Sequence, residues 1–101
     1  MKSNIEKMIY ATLDEVLNDL NLDNPEEKNL DTALYSGSGV LDSLALVSFL
    51  VNLEQKINDE NNINITIASD RAMSMKHSPF STVKSLVIYL EKVISEKKGL
   101  N

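Results

Sequence analysis

Apolar residues recur at three- and four-residue steps in three long segments, and this spacing is the strongest constraint on the fold. The segments run from residues 5 to 20, 44 to 57 and 83 to 94. Because an α-helix completes a turn in about 3.6 residues, the spacing places the apolar side chains of each segment on one face. We therefore expect amphipathic helices packed around a common core.

The residues between these segments predict where the helices begin and end. Asp42 is suited to cap the second helix and Ser81 the third, since both side chains accept backbone amide hydrogens. Asn21 to Asn24, followed by proline, ends the first helix, and Gly99 can end the last. The core is expected to contain eleven residues: Ile9, Leu13, Leu17, Leu46, Leu50, Leu53, Ile65, Val83, Leu86, Val87 and Leu90.

The two connections differ in character. Residues 21–41 form a long loop in which Asp31 to Leu34 is compatible with one helical turn. Residues 63–67 alternate apolar and polar side chains but have no partner strand, so we expect an extended connector whose isoleucines enter the core. A short helix is expected within residues 68–75. The prediction is an all-α, single-domain (1–101) four-helix bundle with three long helices and one short helix.

Charge and composition restrict the class of function. The net charge is −5, and residues 1–42 contain nine acidic residues but only three lysines. This balance disfavours nucleic acid, whose phosphates require basic surfaces. No apolar run approaches the length of a membrane span, and the polar N-terminal residues do not resemble a signal peptide. We expect a cytoplasmic monomer.

Catalytic and metal-binding patterns are weak. The chain has one histidine, His77, and no cysteine, so Ser43 lacks an evident base for nucleophilic catalysis. Residues 19–30 begin like a calcium loop, but Asn24 and Leu30 replace the glycine and glutamate that such a loop needs. We therefore expect no enzymatic activity and no metal site.

The stretch Gly39-Val40-Leu41-Asp42-Ser43-Leu44-Ala45-Leu46-Val47 combines a loop with a helix start. A helix start tolerates an attached phosphodiester, but from the residues alone an ordinary first-turn residue is the favoured interpretation of Ser43. On a wheel of about 100° per residue, Val47 lies at the edge of the apolar face. Leu44 and Val51 lie beside the polar strip, as possible partner contacts or as boundary core residues.

This stretch, with Leu50, Leu53 and Glu54 after it, resembles the 4′-phosphopantetheine attachment site of acyl carrier proteins, whose signature is Asp-Ser-Leu at the start of the second helix. The resemblance extends to the first helix, the long loop and the last helix. It implies that Ser43 carries a 4′-phosphopantetheine arm donated by coenzyme A, and that the arm holds an acyl group as a thioester.

The resemblance also implies partners and contact residues. A phosphopantetheinyl transferase would modify Ser43, and acyl-loading and acyl-transferring enzymes would act on the arm. Asp42, Leu44, Val47 and Val51 would contribute to partner recognition. The roles expected are in fatty-acid, lipid or specialised biosynthesis.

The second helix departs from the usual acidic pattern of fatty-acid carriers. Its exposed face is expected to carry Ala45, Ser48, Asn52, Gln55 and Lys56, with Glu54 as the only acid before Asp59. This departure favours a role in a dedicated pathway, such as synthesis of a secondary metabolite, a modified lipid or a cell-envelope component, over general fatty-acid synthesis. Two alternatives stay open: a stand-alone aminoacyl or peptidyl carrier, and an unmodified helical interaction module.

Overall fold

The computed structural model describes residues 4–23, 27–35, 39, 41–67 and 79–99. These ranges contain three α-helices: α1 (Asn4–Asp19), α2 (Ser43–Asn61) and α3 (Val83–Lys98). The same ranges contain no β-strand, and an isolated bridge joins Ala33 and Thr82. The all-helical class is confirmed for the described part of the chain. The short helix expected within residues 68–75 lies outside the described residues.

Helix α1 packs against both α2 and α3. Every residue that the sequence assigns to the core is buried. The loop and connector also supply fully or nearly fully buried side chains, among them Leu34, Leu41, Ile67 and Phe80. An ion pair of 2.8 Å between Lys56 Nζ and Glu15 Oε2 joins α2 to α1 at the surface. The core therefore extends beyond the three helices into the segments that connect them.

Each helix ends at a residue in the left-handed conformation, which satisfies carbonyl groups of the last turn. Asn21 (φ 56°) follows α1, Asn62 (φ 54°) follows α2 and Gly99 (φ 75°) follows α3. After α1, the N–H of Leu22 donates to the carbonyl of Leu17 at 2.8 Å. The predicted ends at Asn21 and Gly99 are confirmed.

The long loop is fastened to the start of α3. The N–H of Leu34 donates to the carbonyl of Ser81 at 2.7 Å, and the carbonyl of Leu34 accepts from the N–H of Leu41 at 2.9 Å. Leu34 thus joins the segment before α3 to the segment before α2. The helical turn expected over Asp31 to Leu34 is wrong, because Ala33 instead pairs with Thr82 in the isolated bridge.

The connector after α2 is held by side chains of α2 itself. Asn58 binds both backbone groups of Ile65: its Oδ1 accepts from the N–H at 2.8 Å, and its Nδ2 donates to the carbonyl at 3.1 Å. Glu54 Oε1 accepts from the N–H of Ile67 at 2.8 Å. Ile65 and Ile67 are buried, which confirms that the connector's isoleucines enter the core.

Tyr10 on α1 packs partly against the core. Its hydroxyl donates to Glu6 Oε2 at 2.6 Å. Burial raises the pKa of Tyr10 because it removes water from the charged phenolate. The bond to the Glu6 carboxylate and its negative charge raise the pKa further, to about 12.

Candidate functional site

Helix α2 begins at an exposed, capped and anchored position. Asp42 is exposed, has an extended backbone (φ −90°, ψ −176°), and accepts the N–H of Ala45 on its Oδ1 at 2.8 Å. The residue before it, Leu41, is buried and bonded to Leu34. The prediction that Asp42 caps α2 is confirmed. The start of α2 is therefore held in place by the core while the capping residue itself faces solvent.

Ser43 is the first residue of α2, as its backbone shows. Its side chain lies outside the described part of the structure, so the exposed hydroxyl stays a prediction. The next residue, Leu44, has no acceptor for its N–H among the described residues. The first N–H groups of any helix lack intrahelical acceptors and carry partial positive charge. This environment is chemically suited to a negatively charged group on the neighbouring residue.

Three apolar side chains on the first half of α2 point into solvent. Leu44 is 71% exposed, Val47 is 54% exposed and Val51 is 53% exposed. Their positions span about 60° around the helix, so they form one continuous row, which we call the apolar stripe. Val47, expected at the edge of the buried face, belongs to this exposed row. The stripe begins at the residue that follows Ser43.

The residues beside the stripe are neutral. Asn52 and Gln55 are exposed and Ser48 is half-buried. The Asn52 Nδ2 donates to the Ser48 carbonyl at 2.8 Å. Glu54, expected as the one acid of this face, is half-buried and bonded to the connector through Ile67. The exposed half of this helix therefore presents apolar and hydrogen-bonding groups without a carboxylate from Ser43 to Leu53.

One expected member of the exposed face is misplaced. Ala45 is fully buried, as is Phe49 four residues later. Because residues four apart lie on the same side of a helix, these two widen the buried face. Phe49 is absent from the expected core, although its spacing from Ala45 is visible in the sequence.

Other candidate positions add little to the site. Ile88 on α3 is 61% exposed, and the sequence had not singled it out. His77 lies outside the described residues. Within the described ranges, no group of three or more histidine, cysteine, aspartate or glutamate residues could hold a metal ion. None of the described helices has the length and apolar character needed to cross a membrane.

Comparison with known proteins returned no match. No family model matches the chain, no curated protein aligns with it significantly, and no solved structure resembles it significantly.

Proposed function

We propose that this protein is a discrete acyl carrier protein, with an acyl-carrier-like four-helix bundle whose short fourth helix lies within residues 68–75. Ser43 is the attachment point of a 4′-phosphopantetheine arm. The Ser43 hydroxyl oxygen forms a phosphodiester with the phosphate of the arm as the pyrophosphate bond of coenzyme A breaks, and adenosine 3′,5′-bisphosphate leaves. The thiol of the bound arm carries an acyl group as a thioester.

The observation that carries this proposal is the apolar stripe, which begins directly after Ser43 on an anchored helix start. A carrier must present its modified residue beside a surface that enzymes can bind. Leu44, Val47 and Val51 offer such a surface and contribute little to the core. The amide of Leu44 suits a phosphodiester on the neighbouring residue.

The chain itself supplies no catalytic group in this proposal. Asp42 fixes the start of α2 through its bond to Ala45 and stands beside Ser43 as a recognition group for the transferase. The partners are a phosphopantetheinyl transferase and the enzymes that load and transfer the acyl group. We propose a cytoplasmic monomer.

The test is modification in vitro. The unmodified protein is incubated with coenzyme A and a promiscuous phosphopantetheinyl transferase, and its intact mass is measured. We expect the gain of one phosphopantetheine unit, complete loss of that gain in Ser43→Ala, and its retention in the matched control Ser48→Ala. An unchanged mass, under conditions that modify a known carrier, would contradict the proposal.

A stand-alone aminoacyl or peptidyl carrier is the second candidate, since it shares the arm and the attachment site. The mass of the protein isolated from its native host distinguishes the two, because it reports the group attached to the arm. An unmodified interaction module also fits the exposed stripe. Native protein that never carries the arm would favour that module.

A further inference from the structure

The distribution of charge on α2 differs from that of the rest of the molecule. The chain has 15 acidic and 10 basic residues in 101, yet no charged residue lies between Ser43 and Leu53. The apolar stripe occupies the exposed part of this uncharged run. The α2 surface that follows Ser43 is therefore neutral in a protein that is acidic overall, and the exposed Asp42 carboxylate lies just before it.

The first two charged residues that follow this run on α2 have other partners. The Glu54 carboxylate accepts the N–H of Ile67 at 2.8 Å. The Lys56 ammonium pairs with Glu15 at 2.8 Å. Both groups connect α2 to other segments of the same chain, the connector and α1. The charges that follow the stripe in sequence thus stabilise the fold.

We propose that enzymes reaching Ser43 dock on α2 through an uncharged, apolar surface that covers Leu44, Val47 and Val51. This inference rests on the proposed carrier function and specifies the partner. The chemistry of the partner surface follows from charge complementarity. Burying a cation against a neutral surface removes its hydration without providing a counter-charge. A basic docking surface, which suits an acidic helix, binds here less well. The neutral run therefore selects partners by charge as well as by shape.

The first experiment measures kcat/KM for modification of Ser43 by a promiscuous phosphopantetheinyl transferase with coenzyme A. The double variant Val47→Ala/Val51→Ala removes methyl groups from the stripe. We expect kcat/KM to fall by about tenfold or more, since each buried methylene contributes enough to change an equilibrium several-fold. The matched control is Ile88→Ala on α3, with an expected change below about twofold. Equal efficiency for the stripe variant and the wild type would overturn the inference.

The second experiment changes the charge beside the stripe. Ser48→Glu/Gln55→Glu places two carboxylates next to it. An apolar partner surface predicts a fall in kcat/KM at low salt, whereas a basic partner surface predicts a rise. The control Ala11→Glu/Asn18→Asp changes net charge equally at exposed positions of α1. A rise for the first variant alone, lost at high salt, would overturn the inference.

The outcomes separate this inference from the proposed function. If wild-type protein is not modified while a known carrier is, both fail. If it is modified but gains efficiency from the added carboxylates, the carrier function stands and the neutral partner surface is wrong.

Discussion

The starts of α2 and α3 use the same capping chemistry. Asp42 accepts the N–H of Ala45 at 2.8 Å, and Thr82 accepts the N–H of Ser85 on its Oγ1 at 3.1 Å. At α3 the Ser85 hydroxyl also accepts from the Thr82 N–H at 3.1 Å, which completes a reciprocal capping box. Both helices thus begin at a single side-chain acceptor placed three residues before the bonded amide.

The two helix starts differ in the hydrogen bonds made by their first N–H groups. At α3 the N–H of Val83 donates to the carbonyl of Thr32 at 3.0 Å, and the N–H of Lys84 donates to the carbonyl of Leu30 at 2.8 Å. At α2 the N–H of Leu44 has no acceptor within the described residues. The long loop therefore covers the start of α3, which becomes part of the fold. At the start of α2 the Leu44 side chain is 71% exposed, and this contrast with α3 supports the assignment of binding to α2 that the apolar stripe carries.

The largest effect expected from this comparison is on stability. Leu34→Ala removes a fully buried side chain at the junction of the two helix starts and should lower the free energy of unfolding by about 3 kcal/mol. Leu44→Ala removes the same atoms from an exposed position and should change it by less than about 0.5 kcal/mol. Urea denaturation measures both. Similar losses for the two variants would contradict the distinction between an embedded and an open helix start.

Amide hydrogen exchange provides a direct reading of the same contrast. The N–H groups of Val83 and Lys84 should be protected by their loop acceptors, whereas that of Leu44 should exchange at least about 100-fold faster. Nuclear magnetic resonance or mass spectrometry of exchanging peptides reports the rates. Comparable protection at Leu44 would mean that its amide is bonded, and would weaken the assignment of α2 as the open start.

The two capping side chains should contribute about equally to the free energy of unfolding, with a modestly larger contribution at α3. Asp42→Ala should cost about 1 kcal/mol in unfolding free energy, and Thr82→Ala about 1 to 2 kcal/mol because the capping box is also lost. Thr66→Ala, at an exposed position in the connector, is the control. A cost at Asp42 well above that at Thr82 would reverse the expected order, and thermal or urea unfolding decides it.

The narrowest effect, confined to alkaline pH, concerns Tyr10 on the helix that packs against both others. Its pKa rises from 10.0 to about 12 on folding, so the folded state favours the protonated phenol. The stabilisation that Tyr10 provides as a protonated phenol is present below pH 10 and is lost as pH rises toward 12. The unfolding free energy should fall over that interval in wild type and in Leu44→Ala alike, and the fall should be smaller in Tyr10→Phe. A different slope in Leu44→Ala would show that the stripe influences the core.

Much of this fold could be predicted because helix periodicity and capping are local properties. Asp42 as a cap, the ends at Asn21 and Gly99, and the buried isoleucines of the connector are confirmed. The cap of α3 is Thr82, one residue after the expected Ser81, because the Ser81 carbonyl is bonded to Leu34 and the Thr82 side chain faces the first turn.

The remaining features depend on packing between distant segments. Glu54 looks like a surface acid in sequence, but the connector brings the amide of Ile67 to it. A helical wheel orders the residues of α2 by angle without showing how wide the buried face is. The expected exposure of Ala45 is therefore wrong. The wheel places Val47 at the edge of the apolar face, and the structure shows that this edge is exposed. The resemblance indicates Asp42, Leu44, Val47 and Val51 as recognition residues, and all four are exposed in the structure. Their role in recognition and the modification of Ser43 stay predictions.

The bond between the Leu34 carbonyl and the Leu41 N–H also has a consequence for engineering. It holds together the two ends of residues 35–40, while the bonds to α3 are made by residues 30–35. Because the entropic cost of a loop grows slowly with its length, extra residues inserted within 36–40 should leave both helix starts in place. A short peptide tag at that point would label the protein close to Ser43 in sequence and would leave the three described helices uninterrupted.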